Sequence, residues 1–183
     1  MLCSRDGAHG RAEPARNALA SLTAIAMTTV LLHAQLASAM VTRGDDMLYQ
    51  SKVEAAMKFY ARALFLDPGS ATAMDRYAFV ALMMHRRSLL RLAVRKLTAF
   101  LRGPRMSETL LLDRALCERA LGQYAAAEQD FVTAGMLGRD ARALVFAGYA
   151  ALRLGSRERA RLWWHLALEA RRRYVPALRA LAR

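Results

Sequence analysis

The chain has 183 residues and a formal net charge of +13 at pH 7, with 55% hydrophobic residues, ten glycines and four prolines. This length suits one domain of modest size with a shared core, and no alternating apolar run between turn signals indicates a strand, so the composition favours an all-helical chain. Two cysteines without C-x-x-C spacing, and the lack of a Gly-rich phosphate loop, a G-x-S-x-G or an H-E-x-x-H motif, exclude the enzymes and zinc sites that these motifs define.

The N-terminal segment combines the features of a leader. Three arginines precede an uncharged stretch whose core, residues 18–32, is largely apolar, and an Ala-Ser-Ala sequence follows at residues 37–39. This order is typical of a secretory signal peptide that is cut after Ala39. The core is short for a membrane span of about 20 residues, but counting on to Met40 reaches that length. An uncleaved anchor with a cytoplasmic N-terminus is therefore the open alternative, and a wrongly assigned start codon would leave the chain cytoplasmic.

Beyond residue 43 the apolar spacing predicts a succession of helices separated by short breaks. The predicted helices cover residues 44–51, 53–66, 71–84, 87–101, 106–120, 123–136, 140–153, 156–171 and 175–182. The first of these is either short or continuous with the leader, and Asp45 and Asp46 are interpreted as a charge bias at its start. Pro68 ends the second helix because it cannot continue it, while Pro176 suits the first turn of the last helix.

Small and aromatic residues recur at a nearly fixed interval in this part of the chain. Gly122, Tyr124, Ala127, Phe131 and Ala134 of one unit correspond to Gly155, Arg157, Ala160, Trp164 and Ala167 of the next. Equivalent alanines occupy positions 56, 93, 127 and 160, and the first of these intervals is slightly longer than the other two. The glycine permits a tight turn between two helices, the alanine allows their close approach, and the aromatic side chain fills the gap toward the next unit. Such units stack because none of them buries its apolar face alone.

This repeat resembles the tetratricopeptide repeat, whose period is about 34 residues, and the resemblance covers roughly residues 44–175. It implies an all-α, TPR-like α-solenoid of about four helical hairpins plus a short C-terminal capping helix. It divides the chain into a signal peptide or membrane anchor at residues 1–40 and a helical-repeat domain at residues 41–183. The second unit is degenerate, because Ala93, Leu97 and Phe100 are in place but the glycine and the proline are missing.

In this family the first helices of successive hairpins line a concave groove that holds a segment of another protein. Transferred to this sequence, the resemblance predicts a groove that mixes apolar and aromatic anchors with charged side chains. Its predicted residues are Asp75, Arg76, Phe79, Leu82, Met83, Thr109, Leu112, Asp113, Leu116, Arg119, Arg142, Val145, Phe146, Tyr149 and Arg153. We therefore expect a non-catalytic adaptor of a bacterial envelope assembly, periplasmic or anchored in the inner membrane, that binds a peptide or helix and needs no cofactor or metal.

The excess of arginine leaves a second function open. Arginine accounts for 25 of the 28 basic residues, and its planar group pairs with carboxylate or phosphate, so binding to nucleic acid or another anionic surface is the alternative. A GC-rich genome that places arginine on solvated helix faces accounts for the same composition, and the arginines are spread over every predicted hairpin. Trp163 is a further candidate for binding, whereas Trp164 occupies the aromatic packing position of the repeat.

Overall fold

The computed structural model describes residues 12–103 and 106–182, with side chains from residue 20 onward, and the regular elements of these ranges are α-helices. The helices are α1 (Ala12–Tyr49), α2 (Val53–Leu66), α3 (Ala71–Met84), α4 (Arg87–Leu101), α5 (Glu108–Leu121), α6 (Tyr124–Gly138), α7 (Ala141–Arg153), α8 (Arg157–Ala170) and α9 (Val175–Leu181). Their bounds confirm the predicted helices from residue 53 onward, with differences of one or two positions at some ends. Predictions for the basic start of the leader lie outside the described side chains.

The first predicted helix of the array is the last part of α1, which runs without a break from the leader. Of the two alternatives for this segment, the continuous helix is therefore correct. The interpretation of Asp45 and Asp46 as residues at a helix start is wrong, because α1 begins at Ala12 and both carboxylates lie near its C-terminal end. No break in the helix marks the predicted boundary between residues 40 and 41.

The helices pack in antiparallel pairs, and each pair contacts the next. The end of α1 packs on α2, α3 on α4, α5 on α6 and α7 on α8, while α9 covers α8 and α7. The repeat alanines are fully buried between the paired helices: Ala56, Ala93, Ala127 and Ala160. The side chains four positions later, Tyr60, Leu97, Phe131 and Trp164, are buried as well. The predicted all-α array of about four hairpins with a closing helix is thereby confirmed.

The turns inside the hairpins share a left-handed residue. Gly122 and Gly155 have φ angles of 82° and 81°, as the repeat predicts. The equivalent positions in the first two hairpins are Ser51 and His85, with φ angles of 59° and 51°. The degenerate second unit therefore keeps the turn geometry of its neighbours although a side chain replaces the glycine.

The connections between hairpins lie on the opposite side of the array, which we call the inter-hairpin edge: residues 67–70, 102–103 with 106–107, 139–140 and 171–174. Neighbouring connections are close in space. Pro68 and Phe100 line one cleft, and Asp140 and Arg171 line another. The exposed part of α1 reaches this edge, where Val30, His33 and Ala34 line a cleft with residues 65–68.

Candidate functional site

The predicted groove lies on the first helices of the second, third and fourth hairpins. Helix α3 contacts α5 directly, and α7 packs on α6, the partner of α5. The predicted groove residues that are exposed are Phe79, Met83, Thr109, Arg142 and Arg153. Those that are half-buried are Asp75, Arg76, Leu82, Leu116, Arg119, Phe146 and Tyr149, whereas Leu112, Asp113 and Val145 are buried. The buried three belong to the wall of the groove and offer little surface to a partner.

Aromatic side chains and one arginine form the central part of this surface. Phe146 packs on the repeat aromatic Phe131 with ring centroids 5.4 Å apart, and Arg119 from α5 lies over the Phe146 ring at 4.8 Å. Tyr149 meets Trp164 edge-on at 5.6 Å. Burial lowers the pKa of the Arg119 guanidinium, which is thus partly removed from water before any partner binds. Aromatic and arginine side chains held in this way are the anchors that dominate many protein interfaces.

Three acidic residues lie close to one another on the helices α1, α3 and α5: Asp45, Asp75 and Asp113. The Tyr60 hydroxyl donates to Asp45 at 2.6 Å, and Arg76 approaches the same carboxylate at 3.2 Å. Burial, the negative charge of Asp75 and a hydrogen bond with Asp75 raise the pKa of Asp113 to about 8. Asp113 is therefore largely protonated at neutral pH, and the pair carries one negative charge instead of two.

Two predicted groove residues, Arg142 and Arg153, lie at opposite ends of α7. Arg142 follows the N-cap of α7 and pairs with Asp140 at 3.4 Å, where it lines a cleft on the inter-hairpin edge. Arg153 is at the other end, with its guanidinium over the Tyr124 ring at 5.1 Å. A partner that contacts both arginines must therefore extend along the whole of α7.

Several buried polar pairs were not predicted from the sequence. Arg114 of α5 binds Asp130 of α6 through two hydrogen bonds of 2.5 and 2.8 Å. Trp163 donates from its indole nitrogen to the buried Glu128 at 2.9 Å, so that its polar edge is engaged between α6 and α8. Burial and the negative charge of Asp130 raise the pKa of Glu118 to about 7, although Arg114 acts in the opposite direction. The two residues of each pair lie on different helices. Helical periodicity within one segment gives no signal for such a pair.

The N-terminal part of α1 is an apolar helix that projects from the array. Residues 20–36 are exposed, with Leu22, Ile25, Met27, Val30 and Leu31 among the large apolar side chains, and Ala37 is the first buried residue from position 20 onward. Within the described residues, α1 is long and apolar enough to cross a membrane by length and composition, with a mean hydropathy of 1.6 over its most apolar part. A signal sequence passes the same test.

The described residues contain no cluster of three or more His, Cys, Asp or Glu side chains that could hold a metal ion. The Cys117 thiol is free and buried, and burial together with the nearby carboxylates of Asp113 and Glu118 raises its pKa to about 12. Such a thiol is a poor nucleophile at neutral pH because almost none of it is ionised.

Comparison with known proteins agrees with this architecture. No family model and no curated protein matches the chain. Among solved structures, MamA from Desulfovibrio magneticus matches 76% of this chain and 77% of its own, at 16% identity and a TM-score of 0.65. A tetratricopeptide repeat protein from Parabacteroides merdae matches 81% of this chain and 58% of its own, at 20% identity and a TM-score of 0.65. PilF from Pseudomonas aeruginosa matches 82% of this chain and 75% of its own, at 19% identity and a TM-score of 0.62.

The fold is therefore an α-solenoid of helical hairpins. More narrowly, it is the tetratricopeptide-repeat fold, as the repeat in the sequence predicted. At these identities the similarity concerns the fold.

Proposed function

We propose that this protein is a membrane-anchored, non-catalytic adaptor whose concave groove holds a peptide or a helix of a partner protein in a bacterial envelope. The observation that carries the proposal is the exposure of apolar side chains on α3, the first helix of the predicted groove. Phe79 and Met83 are 49% and 47% exposed, one helical turn apart on the same face of α3. A large apolar side chain at this level of exposure is common singly, but here two of them lie together, and the half-buried Leu82 is next to Met83 on the same helix.

The chemistry of the groove indicates the kind of partner. Apolar anchors spaced by about one turn suit an amphipathic helix or an extended segment with apolar side chains. Arg119 beside Phe146 favours a carboxylate on the partner near that point. In contrast, the Asp75–Asp113 pair keeps one negative charge and disfavours a second carboxylate over α3 and α5.

Retention of the leader as an anchor is favoured by the packing of α1. Cleavage after Ala39 would cut inside a continuous helix and would remove Ala37, whose side chain is 1% exposed and belongs to the core of the first hairpin. Buried residues of this kind stabilise the hairpin only while the helix stays intact. We therefore propose an inner-membrane anchor with a cytoplasmic N-terminus and an array on the outer side of that membrane.

The groove is tested by site-specific photocrosslinking in cells that produce the full chain. A photoreactive phenylalanine analogue replaces Phe79 or Phe146 in the groove, and Leu162 serves as the matched control because it is 51% exposed on α8, outside the groove. We expect one discrete crosslinked protein from the two groove positions and none from position 162. The charge-changing variant Arg119→Glu should reduce the crosslink from position 146 several-fold.

Equal crosslinking from all three positions, or none from the groove, would contradict the proposed groove. A product that loses mass on nuclease treatment would instead support the arginine-based nucleic-acid alternative. Fractionation of the same cells tests the anchor separately, because a cleaved leader yields a shorter chain that is released with the soluble periplasmic proteins.

A further inference from the structure

We propose that the inter-hairpin edge of the array rests in the headgroup region of an anionic membrane, with Phe65 inserted among the lipids. This inference rests on the proposed membrane anchor and goes beyond it, since it assigns a lipid-binding surface to the array itself. The surface is formed by the exposed side chains near the end of α2 and in the connection between α4 and α5: Arg62, Phe65, Pro68, Arg102 and Met106.

The part of α1 that is free of the array is only about as long as a membrane is thick. No spacer is left between the membrane and the array. The uncharged part of α1 begins at Asn17, after Glu13 and Arg16, and Val30, His33 and Ala34 line a cleft with the array. Residues 17–33 measure about 26 Å at 1.5 Å per residue, near the hydrocarbon thickness of about 30 Å. If α1 spans a membrane, the membrane surface therefore lies at the level of His33 and Ala34.

The end of α2 lies at that same level. A cleft of about 540 Å³ is lined on one side by Val30, His33 and Ala34 of α1 and on the other by residues 65–68. Because α2 is antiparallel to the end of α1, its C-terminus returns toward the membrane while its N-terminus points away. The connection at Pro68 therefore meets the membrane–water interface as a consequence of topology.

Phe65 has the properties of an interfacial anchor. Its side chain is 84% exposed, which is costly in water for a phenylalanine that has no polar tip. Phenylalanine is among the apolar residues that membrane-surface proteins bury at the boundary between headgroups and acyl chains. Insertion of Phe65 would remove this apolar surface from water without any rearrangement of the array.

Positive charge and a second apolar side chain extend this surface away from α1. Pro68 lines a cleft with Lys96 and Phe100 near the end of α4. The exposed Arg102 follows α4 directly, and Met106, which is 66% exposed, comes just before α5. A basic residue near an anionic bilayer contributes about 1 kcal/mol, and an arginine stem lies along apolar material while its head stays in water.

The inter-hairpin edge has two acidic residues, Asp67 and Asp140, against five arginines, and both carboxylates bind backbone amides. Asp67 accepts a hydrogen bond from the Gly69 amide at 2.9 Å, and Asp140 caps α7 by accepting one from the Arg142 amide at 2.8 Å. Farther along the same edge, the exposed residues 171–173 are three arginines. The charge that this edge presents outward is therefore mainly positive, as binding to phosphate headgroups requires.

The test compares two exposed aromatic positions at opposite ends of the first hairpin. Phe65→Cys and Tyr49→Cys are made in the full chain with Cys3→Ser, and Cys117 is left in place because it is buried. Tyr49 is 95% exposed, so both changes remove an exposed aromatic side chain. Each protein is labelled with a small fluorophore and reconstituted into vesicles of phosphatidylcholine with a minority of phosphatidylglycerol. A nitroxide attached to lipid headgroups then quenches whichever label is at the interface.

We expect several-fold stronger quenching at position 65 than at position 49. A label at Met106→Cys should also be quenched, and that quenching should fall when phosphatidylglycerol is omitted, when salt is raised or when Arg102→Glu is added. Equal quenching at positions 65 and 49, in protein that resists alkaline extraction from the vesicles, would overturn the lipid-binding edge and leave the anchor intact. Extraction of the protein at alkaline pH would overturn the anchor itself. Quenching at position 106 that is indifferent to lipid charge would overturn the anionic preference.

Discussion

The indole of Trp164 packs directly on the backbone of Gly148, so closely that a Cβ atom added to this glycine would overlap the indole ring. The indole nitrogen donates to the carbonyl of Val145 at 3.3 Å, which fixes the orientation of the ring. The same relationship joins Tyr60 to Gly44 at the equivalent positions of the first hairpin. A glycine on the first helix thus makes room for a large ring on the second helix.

Gly148→Ala should destabilise the fourth hairpin by about 1–3 kcal/mol, because the added methyl forces the indole from its site in a closely packed core. Thermal unfolding of the full chain in detergent, followed by circular dichroism, measures the change. The third hairpin has alanine at the equivalent position, Ala115, together with Phe131 in place of tryptophan.

The double variant Gly148→Ala/Trp164→Phe provides the control. Since it copies the pairing of the third hairpin, it should be more stable than the single variant Gly148→Ala. If both variants lose the same amount, the loss comes from helix geometry at position 148 and not from overlap with the indole.

The sequence was sufficient for the array because its helices depend on local spacing. Ala127 and Phe131 specify one face of a single helix, and a glycine such as Gly122 marks the adjoining turn. The polar pairs were inaccessible by this reasoning because each depends on how two helices are rotated against each other, as for Tyr60 with Asp45. The exposure of the groove residues depends on the same rotation between helices. The repeat therefore predicted which helices form the groove, but not which of their side chains are exposed.

His85→Gly should stabilise the second hairpin by about 0.5–1 kcal/mol, since a left-handed backbone conformation strains a residue that has a Cβ atom. His85 is exposed and has a φ angle of 51°. The substitution therefore relieves backbone strain without removing a buried side chain. Equilibrium unfolding in urea measures the gain. Gly122→Ala, at the equivalent turn with φ of 82° and open space around it, is the matched control and should lose about 1 kcal/mol. A loss of stability in both variants would contradict this account of the turn.

Asp113→Asn should flatten the fall in stability that we expect between pH 5 and pH 9. The pKa of Asp113 is about 8 in the folded chain and 3.8 without the fold, so the folded state holds the proton more tightly. The stability that this proton supplies is fully present below the lower pKa and is lost as the pH rises through the higher one. Between pH 5 and the folded pKa, the loss in the native sequence should be on the order of 4 kcal/mol, at about 1.4 kcal/mol per pH unit.

Urea unfolding of the native sequence and the Asp113→Asn variant across this pH range measures the difference. Asp75→Asn is the second variant, because it removes the neighbouring negative charge and leaves Asp113 buried. It should therefore flatten the curve less than Asp113→Asn does. A residual slope near neutral pH is expected from Glu118, whose pKa of about 7 is raised in the same direction. An unchanged slope in Asp113→Asn would show that this carboxyl is ionised in the folded chain throughout the range.

Removal of one partner of the Arg114–Asp130 pair should cost more than removal of both. The side chains of Arg114 and Asp130 are 19% and 10% exposed and share two hydrogen bonds, so Asp130→Leu leaves a largely buried guanidinium without its carboxylate. A broken buried pair of this kind costs about 3–5 kcal/mol, whereas well-packed apolar replacements of both partners are often neutral.

We expect Asp130→Leu to unfold at markedly lower urea concentration and Arg114→Met/Asp130→Leu to recover most of that loss. Thr98, which lies 3.4 Å from the same guanidinium, is unchanged in both variants. If the double variant is less stable than the single one, this account is wrong. The ion pair itself would then stabilise the packing of α5 on α6.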